Sequence, residues 1–266
     1  MITIKDKQHK LCLIDTCVIS EILKNKTTLG NKIVTKFIDE NYVFCYTIQT
    51  LGELKRAKDL YDEFFKYLFP MLSFLLKNYN QLLIDELNAY PHDNKENPFL
   101  FFFNPLSKEN FNERIKEHLE SEKFTNFFKN EKLDASLVLK DIASGAKVWR
   151  KAFPNPSKKV IDSYIKTSVL FQIKDTHPEF YRRQLNLEYT KFNSWLTISL
   201  VKYYKFYLNP MRKPKTNDLN DVLNTSALPY LDAIICENDL AEILRQIQVK
   251  HNYLKNLEIM KLTQFK

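Results

Sequence analysis

After a short polar lead the chain runs through Leu11-Cys12-Leu13-Ile14 without a charge, closes on Asp15 and passes into Thr16-Cys17-Val18-Ile19-Ser20. A brief apolar run bounded by polar residues predicts a buried strand over 11–15. Helical pieces follow over 18–24 and 30–40, joined at a polar turn. Residues 42–46 read as a second strand, and 49–60 as a helix with Leu51, Leu54 and Ala57 on its apolar side. Strand, helix, strand, helix in this order predicts a parallel sheet with right-handed crossovers. From Tyr61 to Asn209 the pattern changes to long helical stretches rich in Phe, Tyr, Leu and Lys, broken at Pro70, Pro91, Pro98, Pro105, Pro154, Pro156 and Pro178. Their aromatics, Phe101-Phe102-Phe103 and Tyr203-Tyr204 among them, predict packing between helices. A short basic linker, Met211 to Thr216, returns the chain to the first pattern. A helix is expected over 218–228, a strand over 230–236, a helix over 239–248 and a closing strand over 257–265. The expectation is an α/β fold around a central parallel sheet, interrupted by a mostly helical insertion, with boundaries at 1–60, 61–210 and 211–266.

Composition narrows the chemistry. With 266 residues and 44% hydrophobic content, the chain can bury one large core or one domain with a sizeable insertion. Only 3 glycines are present, so neither a P-loop nor a G-x-G-x-x-G turn is available, and phosphate chemistry must rest on side chains or metals. The formal charge of +8 favours a polyanionic partner. Its distribution says more: Gly145 to Lys215 carries 15 Lys or Arg against 4 acids, whereas Thr216 to Glu242 carries 6 acids and no base. A cation-binding cluster beside a phosphate-binding surface has this form, and so do two differently charged solvated faces. Cys12, Cys17, Cys45 and Cys236 lie in or beside apolar runs without C-x-x-C spacing, which predicts buried, reduced thiols and a cytoplasmic location. The polar first ten residues lack the apolar core of a signal peptide. The stretches Tyr67–Leu76 and Pro98–Leu106 fall short of the roughly 20 residues that span a bilayer, so no membrane is expected.

The candidate chemistry is acidic. Asp15 ends a buried strand, the position where α/β folds present charge at the carboxyl edge of a sheet. Glu53, in Thr50-Leu51-Gly52-Glu53-Leu54, and the acids Asp218, Asp221, Asp232 and Asp239 add to it. Carboxylates brought together raise one another's pKa, and a divalent cation removes the conflict. Hard ions such as Mg²⁺ take oxygen ligands, whereas none of the five histidines forms a pair with metal-ligand spacing. Each acid also has a structural reading. Asp15, Asp218, Asp221 or Asp239 can cap a helix, Glu53 is favoured early in a helix by the dipole alone, and Asp232 can pair with backbone or a basic group.

These residues resemble the PIN domain, the fold of the ribonucleases of bacterial toxin–antitoxin modules and of several RNA-processing nucleases. Leu13-Ile14-Asp15-Thr16 is similar to that family's first-strand signature, with Cys17 where Asn is usual. Thr47-Ile48-Gln49-Thr50-Leu51-Gly52-Glu53-Leu54 is similar to its second-strand exit and Glu-Leu helix. Residues 217–239 are similar to its acidic helix, strand and last acid. The spacings of 38 residues from Asp15 to Glu53 and 18 from Asp221 to Asp239 agree with the family. The resemblance covers residues 10–60 and 215–265 and leaves the long middle segment outside.

What the resemblance implies is a three-layer α/β/α PIN-like fold and an endonuclease using Mg²⁺ or Mn²⁺. Asp15 would be the central ligand, completed by Glu53, Asp221 and Asp239, with Asp218 and Asp232 as the alternatives at the third and fourth positions. Thr16 would orient Asp15 or a bound phosphate. The substrate it implies is single-stranded RNA. The basic, aromatic segments holding Lys147 and Arg150, Arg182 and Arg183, and Lys202 and Lys205 are candidates to track its backbone, or alternatively lysines lying over a helical core. An inhibitory protein partner and a homodimer stay open. The rival expectations are a non-catalytic PIN-like module that binds nucleic acid or protein, a DNA-directed nuclease of a defence system, and a small-molecule phosphohydrolase.

Overall fold

The computed structural model describes residues 1–4, 6–71, 73–90, 116–184, 186–208 and 214–265, with side chains described except at 127–134 and 216. The breaks expected at Pro91, Pro98 and Pro105, the Phe101–Phe103 run, the stretch Pro98–Leu106 and the first half of the linker at 211–216 lie outside the described residues. In chain order the elements are β1 (Ile2–Ile4), β2 (Lys7–Ile14), α1 (Thr16–Lys24), α2 (Asn31–Asp39), β3 (Tyr42–Tyr46), α3 (Ile48–Leu54), α4 (Lys58–Glu63), β4 (Ser73–Leu75), α5 (Tyr79–Ala89), α6 (Glu122–Ala152), α7 (Lys158–Thr176), α8 (Pro178–Arg183), α9 (Asn193–Lys202), α10 (Thr216–Asn224), β5 (Ala233–Cys236), α11 (Asn238–His251) and β6 (Glu258–Lys261). They fall into two compact units. The first comprises Met1–Asn78, Leu100–Glu131 and Tyr230–Lys266; the second comprises Tyr79–Phe99 and Lys132–Pro229.

The first unit is built on a sheet in the order β4-β3-β2-β5-β6, parallel throughout, with β1 paired antiparallel to the start of β2. Strands β3 and β5 are buried at every position. A parallel strand covered on both faces cannot alternate apolar with polar, and this is why Tyr42–Tyr46 and Ala233–Cys236 read as unbroken apolar runs. Cys12, Ile14, Phe44, Tyr46, Ala233 and Ile235 share one core with Val18, Ile19 and Ile22 of α1, Ile33 and Phe37 of α2, and Leu51 and Leu54 of α3. Within it Phe37 stacks on Phe44 with ring centroids 4.2 Å apart. Truncating a buried phenylalanine of this kind costs about 3–5 kcal/mol.

The strand expected at 42–46 is present with those ends, and those expected at 11–15 and 230–236 are present with shifted ends. β2 starts earlier, at Lys7, and the last of the three is confined to Ala233–Cys236. The closing strand covers only Glu258–Lys261 before a 3₁₀ turn. The helix expected over 49–60 divides at Ala57, whose φ of −117° and ψ of 86° are not helical. The domain boundaries move as well. Ser73–Leu75 pairs with β3, which brings residues up to Asn78 into the sheet unit, whereas residues 214–229 join the helical one, where α10 packs on α9.

The second unit is helical. Leu83 and Leu87 of α5, Val169 and Ile173 of α7, and Phe192 and Trp195 beside or within α9 form its apolar cluster. Ser157 caps α7 by accepting from the Val160 N–H at 3.4 Å, and Pro178 occupies the first turn of α8, where its missing N–H removes no helical bond. Among the described residues no helix is long and apolar enough to cross a membrane.

Candidate functional site

In an open parallel sheet the strand order reverses at one place, and ligands bind outside the carboxyl ends of the strands there. Here the reversal lies between β2 and β5, because β3 and β4 follow β2 on one side and β5 and β6 on the other. Asp15 is the first residue past β2. Carried forward, the strand registers set it beside Thr47 on one side and Cys236 on the other, and its N–H donates to the Ile235 carbonyl at 3.1 Å. Its own carbonyl accepts from the N–H groups of Val18 and Ile19, so the backbone of Asp15 starts α1 while its side chain makes no capping bond. The carboxylate accepts the Cys17 thiol at 3.3 Å instead. Burial, then the negative charges of Asp15 and Glu237, push that thiol well above its ordinary range. Cys17 is therefore a protonated donor to Asp15.

The next exit, at the end of β3, is held by Thr47. Its Oγ1 accepts from the Thr50 N–H at 3.2 Å and lies 3.1 Å from the Thr50 hydroxyl, which fixes the first turn of α3. Gln49 and Glu53 lie one turn apart on that helix and so share a face. Gln49 is buried and Glu53 half-buried. On the far side of the reversal, Glu237 is the residue before α11 and makes no side-chain cap, and Asp239 stands exposed in the first turn of α11. Asp15, Glu53, Glu237 and Asp239 thus all follow carboxyl ends of adjacent strands. Neither Glu237 nor Gln49 is among the candidates read from the sequence. The signal for Glu237 is its place directly after the apolar run Ala233–Cys236. Nothing local marks Gln49.

The remaining acids sit elsewhere. Asp232 precedes β5 and so lies at the amino end of the sheet, a four-residue strand away from Asp239; such a strand is about 13 Å long. It accepts the Leu11 N–H at 2.8 Å and pairs with the Met1 ammonium at 2.8 Å. The expectation that Asp232 is a metal ligand is corrected on this geometry: its carboxylate holds β5 to β2 at the wrong end. Asp218 and Asp221 belong to the second unit, on α10. Asp218 accepts the Lys215 N–H at 2.7 Å. The ammonium of Lys205 lies 2.8 Å from Asp221 and 3.4 Å from Asp218, and the lysine side chain is 2% exposed.

The basic segments divide between surface and interior. Lys147, Arg182 and Arg183 are exposed, Arg182 paired with Glu179 at 2.8 Å. Arg150 donates to the Phe206 carbonyl at 2.9 Å. Lys202 is half-buried, and desolvation lowers its pKa; Lys205 is inside with its two acids. The aromatics between them pack on one another: Trp149 contacts Phe153 and Tyr164 with centroids 4.5 Å away, and Tyr164 contacts Tyr207 at 4.9 Å. Thr16, the first residue of α1, has a buried hydroxyl without a hydrogen-bond partner among the described residues.

The acids at the strand exits are oxygen donors, the chemistry of a hard divalent cation. As placed, no three His, Cys, Asp or Glu side chains among the described residues stand close enough to enclose one. No known family model, curated protein or solved structure matches the chain.

Proposed function

We propose that the chain is a metal-dependent nuclease of PIN-like architecture that hydrolyses phosphodiester bonds in single-stranded RNA. The observation that carries this reading is Asp15: a partly buried carboxylate at the carboxyl end of the central strand, at the reversal of strand order, that does not cap its own helix. Asp15 and Glu53, from adjacent exits, would hold Mg²⁺ or Mn²⁺, with Asp239 and Glu237 completing the set directly or through water. When bound, the ion supplies a water of lowered pKa and offsets charge on the phosphate. Cys17 orients Asp15, and its raised pKa keeps it from adding a further negative charge there. Asp218 and Asp221 are left out, because Lys205 already balances them. Four cysteines in no disulfide, three of them buried, fit a reducing cytoplasm.

The test is cleavage of labelled single-stranded RNA and DNA of mixed sequence in Mg²⁺, Mn²⁺ or EDTA, with Asp15→Asn beside the wild type. Metal-dependent cutting of RNA that vanishes in a folded Asp15→Asn variant is the expected result. Preference for DNA moves the reading to a DNA-directed nuclease, and a variant that cuts at the wild-type rate rejects the assignment of Asp15. A second reading, a non-catalytic PIN-like binding module, is favoured by one observation: Asp218, Asp221 and Asp232 are already engaged by protein cations or N–H groups. It requires equal nucleic-acid binding by both proteins and no cleavage by either.

A further inference from the structure

Gln49 is out of keeping with its surroundings. Its neighbours Thr47, Thr50 and Leu51 are buried and accounted for, Thr47 and Thr50 by each other and Leu51 by the core. Gln49 itself is 3% exposed, yet its Nε2 has no hydrogen-bond partner among the described residues. An amide N–H buried without an acceptor loses its bond to water and gains nothing in return. A leucine would fill the same space without that cost.

The position of the unused donor gives it a use. It lies on the first turn of α3, past the strand exit beside Asp15, and on the same helix face as Glu53 one turn later. Of the polar side chains placed here, the glutamine amide is neutral and donates two protons. A lysine or arginine in its place would pair with Glu53 and compete with a cation for the carboxylate. A neutral donor leaves the acids free and still offers a hydrogen bond to a negatively charged oxygen.

We infer that Gln49 is a substrate-binding residue whose amide donates to a non-bridging oxygen of the phosphodiester held at the Asp15–Glu53 edge. The inference rests on the nuclease reading for its substrate, and it is tested by binding, separately from cleavage. Affinity for a fluorescent single-stranded RNA is measured by anisotropy in Ca²⁺ for the wild type, Gln49→Leu and Gln49→Glu. Melting temperatures are recorded alongside, and cleavage in Mg²⁺ is assayed independently with Asp15→Asn. A hydrogen bond to a charged oxygen predicts that Gln49→Leu binds about tenfold or more weakly at an unchanged or higher melting temperature. Gln49→Glu, with the same shape and no donor, loses at least as much. An affinity for RNA within twofold of wild type in Gln49→Leu, weakening only in step with a lowered melting temperature, or no RNA binding by the wild type overturns the inference. Should Gln49→Leu fail to fold, Gln49→Glu and Gln49→Met carry the comparison. If the wild type binds RNA through Gln49 but does not cut it, the nuclease reading fails and this one stands.

Discussion

Inside the second unit Lys205 has almost no water to hold its charge, and the carboxylates of Asp218 and Asp221 take that place. Removing one partner of such a group strands the others, because buried charges without counter-ions cannot be rehydrated. Lys205→Met is therefore expected to cost about 3 kcal/mol in chemical denaturation, and the triple variant with Asp218→Asn and Asp221→Asn to recover part of it. A single variant as stable as wild type would show that the pairing contributes nothing. Asp232 provides the complementary case. Asp232→Ala removes the acceptor of the Leu11 N–H and should cost about 1–2 kcal/mol, while the cleavage rate per folded molecule stays at the wild-type value. A selective loss of cleavage would return Asp232 to the metal site. Both residues look alike in the sequence, since an acid near an apolar run can be a ligand, a cap or a counter-ion. What separates them is a partner 221 residues away for Asp232 and 16 away for Asp221, and no local pattern encodes such partners.

At the scale of elements, α3 is the piece on which the site depends. It has seven residues and cannot stand by propensity alone, so its capping residue matters more than in a long helix. Thr47→Ala is expected to cost about 1 kcal/mol in urea denaturation and to weaken RNA binding through the altered placement of Gln49 and Glu53. Thr47→Ser should keep both. An unchanged stability in Thr47→Ala would remove the cap from the account. The helix was legible in the sequence at its start and not at its end, because Ala57 carries no signal for the break that its backbone makes. β3 was legible residue for residue, as an apolar run with β-branched and aromatic side chains between polar turns. β4 was not: Ser73-Phe74-Leu75 sits inside a longer apolar stretch with Pro70, where a three-residue strand and the end of a helix look the same. Asp15 was found because it combines a strand end with a charge. Glu237 combines them too, yet it competes in the sequence with Asp232 and Asp239, and only the register of β5 against β2 tells the three apart.

Over the whole molecule, ionisable groups buried in neutral form make alkaline pH the weak side. Burial, then neighbouring charge, holds the Tyr204 hydroxyl up to about 12, and burial raises Tyr46 and the thiols of Cys12 and Cys45 above their ordinary ranges. For groups raised by folding, the stabilisation is complete below the unfolded pKa, about 8.5 for cysteine and 10 for tyrosine. It is lost as pH climbs toward the folded value, because the unfolded chain gives up its protons first. Each such group then weakens stability by up to about 1.4 kcal/mol per pH unit. Urea midpoints are expected to fall steeply between about pH 9 and pH 12; a flat midpoint over that window would show these groups to be hydrated in the folded state.

The order of strands sets a timetable as well as a shape. β2 can pair with β1, β3 and β4 can join it early, but the other side of β2 waits for Ala233–Cys236. Throughout the synthesis of everything between, the central strand of the sheet, buried over its second half, carries an open hydrogen-bonding edge. Contacts this distant in sequence form slowly, and an unpaired edge can template association with another chain. A nascent chain halted before residue 233 is thus expected to need a holding chaperone and to aggregate without one, while the completed chain, its central strand paired on both sides, does not.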